Sequence, residues 1–127
     1  MPALAEKPPA RPSQEAVLTK AVLRAADKLD VSQAALARVL GVSPAQVSRM
    51  RNGDAALPPG SKAFELGAYF VRLFRSLDAI VGGDEASARA WLANPNLALG
   101  AKPVEKIHTI AGLTDVIQYL DARRAPI

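Results

Sequence analysis

The sequence predicts an all-α protein made of two small helical units, and three observations support this. Apolar residues recur at three-to-four spacing through most of the chain. Ser or Asp residues precede these segments and Gly residues follow them, as at helix starts and ends. No segment shows the alternation of apolar and polar residues that is typical of a strand. At 127 residues, the chain suffices for one or two modest cores and not for a large multi-layer enzyme.

The composition excludes several kinds of chemistry. The chain has no Cys and one His, so we expect no disulfide, no metal site, no cofactor and no catalytic triad. Nothing suggests an acid–base pair, so we predict neither an enzyme nor a small-molecule substrate. Charges interrupt the apolar stretches well before the roughly 18 residues that a membrane span needs, and the start lacks the apolar core of a signal peptide. We expect a soluble, cytoplasmic protein with no membrane partner.

The positive charge of the chain lies in its first part. Residues 1–77 carry 11 Lys and Arg against 6 Asp and Glu, whereas residues 78–127 carry 5 against 6. A basic unit is typical of proteins that bind polyanions, although an excess of this size also occurs on surfaces that are merely soluble. The division of charge supports a nucleic-acid-binding first unit without establishing it.

Composition divides the chain into an arm and two units. Residues 1–13 hold four of the ten prolines and predict a disordered arm. Residues 14–80 predict a first unit of four helices. Residues 81–127 predict a smaller C-terminal unit, with the boundary near residues 78–83, where Gly82-Gly83 breaks the long helix.

Caps and stops delimit the first three helices. The first begins at Gln14 and ends near Asp30. Two helices of about nine residues follow, each with a capping Ser and a terminating Gly. These residues are Ser32 and Gly41 for the second helix and Ser43 and Gly53 for the third, which has Pro44 in its first position. The apolar stripe of the first helix comprises Val17, Ala21, Val22, Leu23, Ala25, Ala26 and Leu29.

Four further helices are predicted. A long helix after Ser61 is apolar on more than one face, so we expect it to be buried on two sides and to support a homodimer. Asp84 caps a fifth helix, and residues 93–102 form a turn-rich connection. Pro103 opens a short sixth helix, and Gly112 closes it before a last amphipathic helix.

The second and third helices have the geometry of a helix-turn-helix. The turn Gly41-Val42-Ser43 is too short for anything except a roughly perpendicular crossing. Ala37 offers a small side chain at the crossing, and Val42 with Val47 fills the angle between the helices. Packing therefore explains the type of residue at each of these positions.

The outward face of the third helix suits DNA. With Val47 and Met50 turned inward, it presents small or hydrogen-bonding side chains and no carboxylate. Gln pairs with adenine and Arg with guanine in the major groove, so the candidate base contacts are Ala45, Gln46 and Arg49. The candidate contacts with the phosphate backbone of DNA are Gln33, Ser43, Arg51 and Asn52, and Ser48 lies on the same face. A helical hairpin whose polar side chains only keep it soluble stays open as an alternative.

Both parts of the chain resemble a known family. The segment SQAALARVLGVSPAQVSRMRNG resembles the Xre-type, phage-repressor-like helix-turn-helix. Further on, ARAWLANPNLALGAKPVEKIHTIAGLTDVIQYLDAR resembles the Xre/MbcA/ParS toxin-binding antitoxins, and the likeness spans about residues 15–124. The matching positions are Trp91-Leu92, Asn94, Asn96, Leu99-Gly100, Pro103 and Gly112. Ala101-Lys102 departs from the pattern, which often has Gly and a small polar residue there.

The resemblance implies an antitoxin of a type II toxin–antitoxin system. Family members bind a toxin of ADP-ribosyltransferase-like fold, commonly an NAD-consuming RES-domain enzyme, and cover its NAD pocket with their C-terminal region. They repress their own operon by binding operator DNA, usually as homodimers. By this resemblance, residues 14–80 form the DNA-binding and dimerisation domain and residues 81–127 the toxin-binding domain. A stand-alone Xre-type transcriptional regulator is the alternative, and it leaves the C-terminal motif unexplained.

The C-terminal unit supplies the candidate toxin contacts, which are Trp91, Asn94, Asn96, Leu97, Leu99, Tyr119, Arg123 and Arg124. A basic chain end suits a site built for pyrophosphate. Each residue type also has an ordinary structural explanation. Trp is commonly a core residue, Asn a turn residue, and Arg a favourable residue near a helix C-terminus.

Overall fold

The computed structural model describes residues 13–124 and contains seven helices in that range, with one isolated β-bridge between Asn96 and Ala101. The predicted all-α class is confirmed. The helices are α1 Gln14–Leu29, α2 Gln33–Leu40, α3 Pro44–Arg51, α4 Lys62–Ile80, α5 Glu85–Ala93, α6 Pro103–Lys106 and α7 Ile110–Arg124. The arm predicted over residues 1–13 lies outside the described residues except for Ser13, which caps α1. None of the helices in residues 13–124 is long and apolar enough to cross a membrane.

Serine side chains begin the first four helices. The hydroxyls of Ser13, Ser32, Ser43 and Ser61 each accept a hydrogen bond from the backbone N–H three residues later, at 3.1–3.2 Å. This capping satisfies backbone donors that a helix start otherwise leaves free. Gly41 ends α2 in the left-handed region at φ 70°, as its position predicts. The caps and stops expected for α2 and α3 are confirmed.

The first four helices enclose a common apolar core. Val22 of α1, Leu36 of α2, Val47 of α3 and Phe70 of α4 are all fully buried. The loop after α3 is tied into this core by Thr19, whose hydroxyl accepts a hydrogen bond from the Leu57 N–H at 2.9 Å. Because α2 and α3 are fixed on their inner sides by this core, the outer side of α3 is held in one orientation.

Helix α4 belongs to both units. It packs against α1 and α2 with one part of its surface and against α7 and α5 with another. Leu73 and Leu77 of α4 are buried together with Leu113 and Val116 of α7 in the same core cluster. The expectation that α4 is buried on two sides is confirmed.

Two details of the sequence prediction are wrong. Gly112 does not end α6, because α7 begins at Ile110 and includes it. A Cβ atom at Gly112 would overlap the carbonyl oxygen of Lys106, so this Gly permits close approach of α6 and α7. The sequence places Val17 on the buried stripe of α1, yet it is 56% exposed, because it lies about a third of a turn around the helix from the buried Val22 and Leu29.

The argument for a homodimer from uncovered aromatic surface is weakened as well. Most of the apolar side chains of α4 are covered within the chain, and only Tyr69 and Ile80 remain about two-fifths exposed. The physical reason is that α7 packs along α4 and covers surface that the sequence argument left for a second copy.

Candidate functional site

A side-chain hydrogen bond fixes the crossing of α2 and α3. Gln33, the first residue of α2, donates from Nε2 to the Ser48 hydroxyl at 2.6 Å and to the Pro44 carbonyl at 3.0 Å. Both acceptors lie on α3, so Gln33 links the start of one helix to the side of the other. This bond sets the angle at which α3 is presented, in addition to any contact that Gln33 makes with a ligand.

The outer side of α3 is polar, cationic and accessible. Ala45, Arg49 and Asn52 are exposed, and Ser43 is exposed while it caps the helix. Gln46 is half-buried, and Ser48 is half-buried because it accepts from Gln33. Val47 and Met50 are buried, as predicted. The structure therefore brings the candidate base contacts onto one side of α3, the side that a recognition helix turns toward base edges.

Arg51 carries an ion pair that the sequence did not indicate. Its guanidinium donates to both carboxylate oxygens of Asp27 on α1, at 2.9 and 3.4 Å. Asp27 is well exposed, so the pair is solvated and adds little stability. It nevertheless places a negative charge beside the last turn of α3, where it reduces the attraction for phosphate. No local sequence signal relates Asp27 to Arg51, because the two are 24 residues apart.

A second candidate surface lies on α5 and α7. The rings of Trp91 and Tyr119 stack with centroids 6.0 Å apart and planes inclined by 22°. The guanidinium of Arg123 lies over the same Tyr119 ring, 4.6 Å from its centroid. Trp91 and Tyr119 are half-buried and Arg123 is exposed. Three predicted residues from two helices thus form one stack with an exposed cation, an arrangement suited to an anionic or aromatic partner group.

The turn after α5 presents one apolar side chain to solvent. Asn94 donates from its side chain to the Ala90 carbonyl at 2.6 Å, and the Asn96 side chain accepts from the Leu99 N–H at 3.1 Å. These bonds, with the Asn96–Ala101 bridge, hold the turn rigidly. Leu97 at its tip is fully exposed, whereas Leu99 packs against the core. Both Asn residues thus have structural roles, and Leu97 is left without an internal one.

Arg124 is held against α4. It donates to the Ser76 hydroxyl at 3.4 Å, and Ser76 in turn donates to Asp121 at 2.9 Å. Arg72 of α4 forms a close ion pair with the same carboxylate. Ser76 is fully buried, so this polar network joins α4 to the end of α7. The network was missed by sequence reasoning, because a Ser within an apolar helix face gives no signal of its partner.

The described residues offer no centre for metal chemistry. No group of three or more His, Asp or Glu side chains between residues 13 and 124 is arranged to hold a metal ion. One carboxylate of the C-terminal unit, that of Asp84, has a structural role as the cap of α5. Hydrogen bonds from the Ser87 side chain and backbone hold the pKa of this carboxyl below the ordinary value.

The fold and the face of α3 define a helix-turn-helix protein with an appended helical binding unit, and family comparisons agree. The model of the antitoxin Xre-like helix-turn-helix domain matches residues 8–72. The model of the antitoxin Xre/MbcA/ParS C-terminal toxin-binding domain matches residues 76–125. The chain belongs to this family of Xre-type antitoxins, which in general are not enzymes. No curated relative matches the chain.

The junction of the two matched regions falls within α4, between residues 72 and 76. That position agrees with the dual packing of α4 against α1 and α7. Each candidate surface lies in one of the two matched domains. Helix α3 lies in the helix-turn-helix domain, and the Trp91–Tyr119–Arg123 stack lies in the toxin-binding domain.

Proposed function

We propose that this antitoxin neutralises a RES-type, NAD-consuming toxin with its C-terminal surface and represses its own operon by binding operator DNA with α3. The observation that carries the proposal is the presence of two separate accessible surfaces of different chemistry. One is the outer face of α3, which is cationic and rich in hydrogen-bonding groups. The other lies on the C-terminal unit, which carries both the Trp91–Tyr119–Arg123 stack and the exposed Leu97.

The stack suits a site that binds a nucleotide. Stacking on Tyr119 orients the Arg123 guanidinium, and among residues 13–124 no ion pair engages it, so its N–H groups are available for an anion. A guanidinium in this state matches a pyrophosphate by paired, charge-assisted hydrogen bonds. We infer that Arg123 enters the NAD pocket of the toxin and competes with the cofactor. Leu97 is the apolar anchor of the same complex, because a rigid turn presents it at little entropic cost.

Co-expression with the product of the adjacent gene tests the toxin part. The wild-type chain should relieve growth arrest and co-purify with that protein, and NAD levels should recover. Leu97→Asp should weaken the complex by at least about tenfold, as is typical of a buried interface anchor. Ile110→Asp is the matched control, because Ile110 is also an exposed apolar residue of the same unit. Rescue by Leu97→Asp at wild-type level would contradict the anchor role, and no complex at all would favour a stand-alone regulator.

Arg123→Ala separates pocket occupation from docking. We expect the variant to bind the toxin measurably while inhibition of NAD consumption falls by about tenfold or more, the loss of one charge-assisted pair. Arg89→Ala serves as control, since Arg89 is an exposed cation on α5 that pairs with Glu85 and not with an aromatic ring. Equal inhibition by wild type and Arg123→Ala would remove Arg123 from the pocket.

Gel-shift titration on the upstream region of its own operon tests the DNA part. Arg49→Ala should cost about 1–3 kcal/mol of specific binding if Arg49 pairs with a base. Arg89→Ala again supplies the control. We propose that operator binding involves a homodimer, because a two-fold dimer contacts two half-sites about 34 Å apart. A monomeric sedimentation mass on a palindromic operator would contradict the dimer but leave the contact by Arg49 intact.

A further inference from the structure

A groove runs between α1 and α4 on a side of the molecule that neither proposed surface uses. It has a volume of about 580 Å³ and continues into a second stretch of about 750 Å³ that shares Val17, Ala21 and Val71. Its floor is apolar, and the side chain of Val17 is 56% exposed there. Lys28 lies with its ammonium 5.7 Å from the centroid of the Phe74 ring at one end. An exposed apolar floor of this length is unusual for a surface that faces only water.

All charged side chains that line the groove are cations, and two of them, Lys28 and Arg72, pair with Glu85 and Asp121 outside the lining. The cations that form this rim are Lys20, Arg24, Lys28, Arg72, Arg75 and Arg124. No Asp or Glu of residues 13–124 lines either stretch. Among the described residues, Arg24 and Arg75 have no ion pair or side-chain hydrogen bond. Their charge is therefore available to a partner.

The groove is separate from the DNA-facing side of the molecule. On α1, the groove residues Val17, Ala21 and Arg24 form one stripe, while Thr19, Leu23 and Asp27 face the side of α3. The two stripes lie about a third of a turn apart around the helix. A duplex held by α3 does not need this groove, and an apolar floor gives phosphates nothing to bind.

We propose that this groove binds an acidic amphipathic helix of a partner protein. The groove follows α1 from Gln14 to Lys28, which matches a partner helix of about four turns. Apolar side chains on one face of that helix would cover Val17, Ala21 and Val71, and carboxylates on its flanks would meet the rim. This site is separate from the outer face of α3 and from the Trp91–Tyr119–Arg123 stack, and the candidate toxin contact Arg124 lines one end of it.

The positive charge of the groove favours an acidic helix over two other occupants, a second copy of the chain and residues 1–12. A second copy of the chain docked groove to groove would place two cation-lined surfaces against each other, with no carboxylate in the lining to offset them. Residues 1–12 contain Glu6 against Lys7 and Arg11 and so carry a net positive charge as well. Only an acidic partner complements the rim.

Fluorescence anisotropy with the full chain tests the proposal. The probe is a labelled synthetic peptide of about four helical turns, with Leu on one face and Glu on its flanks. Arg24→Glu with Arg75→Glu should weaken its binding by about tenfold or more, and Val17→Gln should weaken it several-fold. Lys102→Glu and Ile110→Gln are matched controls, because each alters an exposed residue outside the groove. Circular dichroism verifies that each variant keeps its helices.

A charge-exchanged peptide makes the test decisive. With Lys in place of Glu, the peptide should fail to bind the wild-type chain and should bind the Arg24→Glu, Arg75→Glu variant instead. Absence of binding by the acidic peptide overturns the proposal, as does equal weakening by the control substitutions. A dimer in sedimentation that Val17→Gln dissociates would assign the groove to a second copy, and loss of random-sequence DNA binding in the double variant would assign the rim to nucleic acid. Either result rejects the acidic helix.

Discussion

The side chain of Gln33 donates a 2.6 Å hydrogen bond to the hydroxyl of Ser48 and thereby joins the first turn of α2 to the middle of α3. The same amide also donates to the Pro44 carbonyl. From sequence, Gln33 was a candidate phosphate contact, and the structure adds a role that does not depend on DNA. A residue that orients α3 affects every base contact that α3 makes.

We predict that Gln33→Ala lowers both operator affinity and stability. Loss of the two hydrogen bonds should reduce the free energy of unfolding by about 1 kcal/mol, and the angle of α3, which the core also holds, should be less tightly fixed. Ser48→Ala should reproduce much of the effect on DNA binding, because it removes the same link from the other side. Urea unfolding and gel-shift titration of both variants measure the two quantities.

A double-mutant cycle on Gln33 and Ser48 separates positioning from phosphate contact. Positioning requires a coupling energy of about 1 kcal/mol between the two residues without DNA. Gln118→Ala is the matched control, since Gln118 is an exposed Gln on α7. Independent effects of the two substitutions, with a DNA defect for Gln33→Ala alone, would show that Gln33 acts directly on the phosphate.

The ion pair between Asp27 and Arg51 leads to a prediction of tighter DNA binding. Asp27→Asn removes a negative charge next to α3 and releases Arg51 for phosphate, so affinity for duplex DNA should rise a few-fold and depend more steeply on salt. Stability should change by less than about 1 kcal/mol, because the pair is exposed. Titrations at several salt concentrations measure this. Asp115→Asn, which alters another exposed and paired Asp, should leave DNA binding unchanged.

Unaltered DNA affinity of Asp27→Asn would mean that Arg51 contributes no phosphate contact. Arg51 would then be a structural link between α1 and α3, and the contacts with the DNA phosphates would fall to Gln33, Ser43 and Asn52.

Local signals in the sequence were sufficient for much of this fold. The Ser caps, Gly41 and the turn at residues 41–43 are short-range features, so α2 and α3 follow from residues near them in the chain. The outward face of α3 follows from the same periodicity. Asp27 beside Arg51 and Asp121 beside Arg72 could not be predicted, because these pairs join helices whose relative placement depends on the whole core.

Gly112 illustrates the limit of reasoning from residue type. Gly often follows a helix, and its position before the last apolar segment suggested a stop. In the structure it lies within α7, where the absence of a side chain admits the Lys106 carbonyl. Both roles use the same property of Gly, and only the packing of α6 on α7 distinguishes them.

Gly112→Ala should therefore destabilise the C-terminal unit. The added Cβ would overlap a backbone oxygen that cannot rotate away, so we expect a loss near the upper end of the range for overpacking, about 3 kcal/mol. Gly100→Ala is the control. Gly100 has a positive φ of 75° and open space around it, so Ala there should cost only about 1 kcal/mol. Equal losses in thermal or urea unfolding would contradict the proposed overlap.

The cap of α5 predicts a specific acid dependence of stability. Hydrogen bonds from the Ser87 side chain and backbone lower the pKa of Asp84 below its ordinary value of 3.8. A carboxyl with a lowered pKa stabilises the fold fully above the ordinary value, and this contribution is lost as pH falls through the lowered pKa, because the unfolded chain takes up the proton first.

Asp84→Asn isolates this contribution. Asn still caps a helix but does not titrate, so the melting temperature of the variant should fall less between pH 4 and the lowered pKa than that of the wild-type chain. Thermal unfolding followed by circular dichroism at closely spaced pH values measures the difference. Ser87→Ala removes the hydrogen bond from the Ser87 hydroxyl to the carboxylate, so the acid loss of stability should be smaller and should end at a higher pH. If the melting temperatures of all three proteins fell equally with pH across this range, Asp84 would have the same pKa in the folded and unfolded chains.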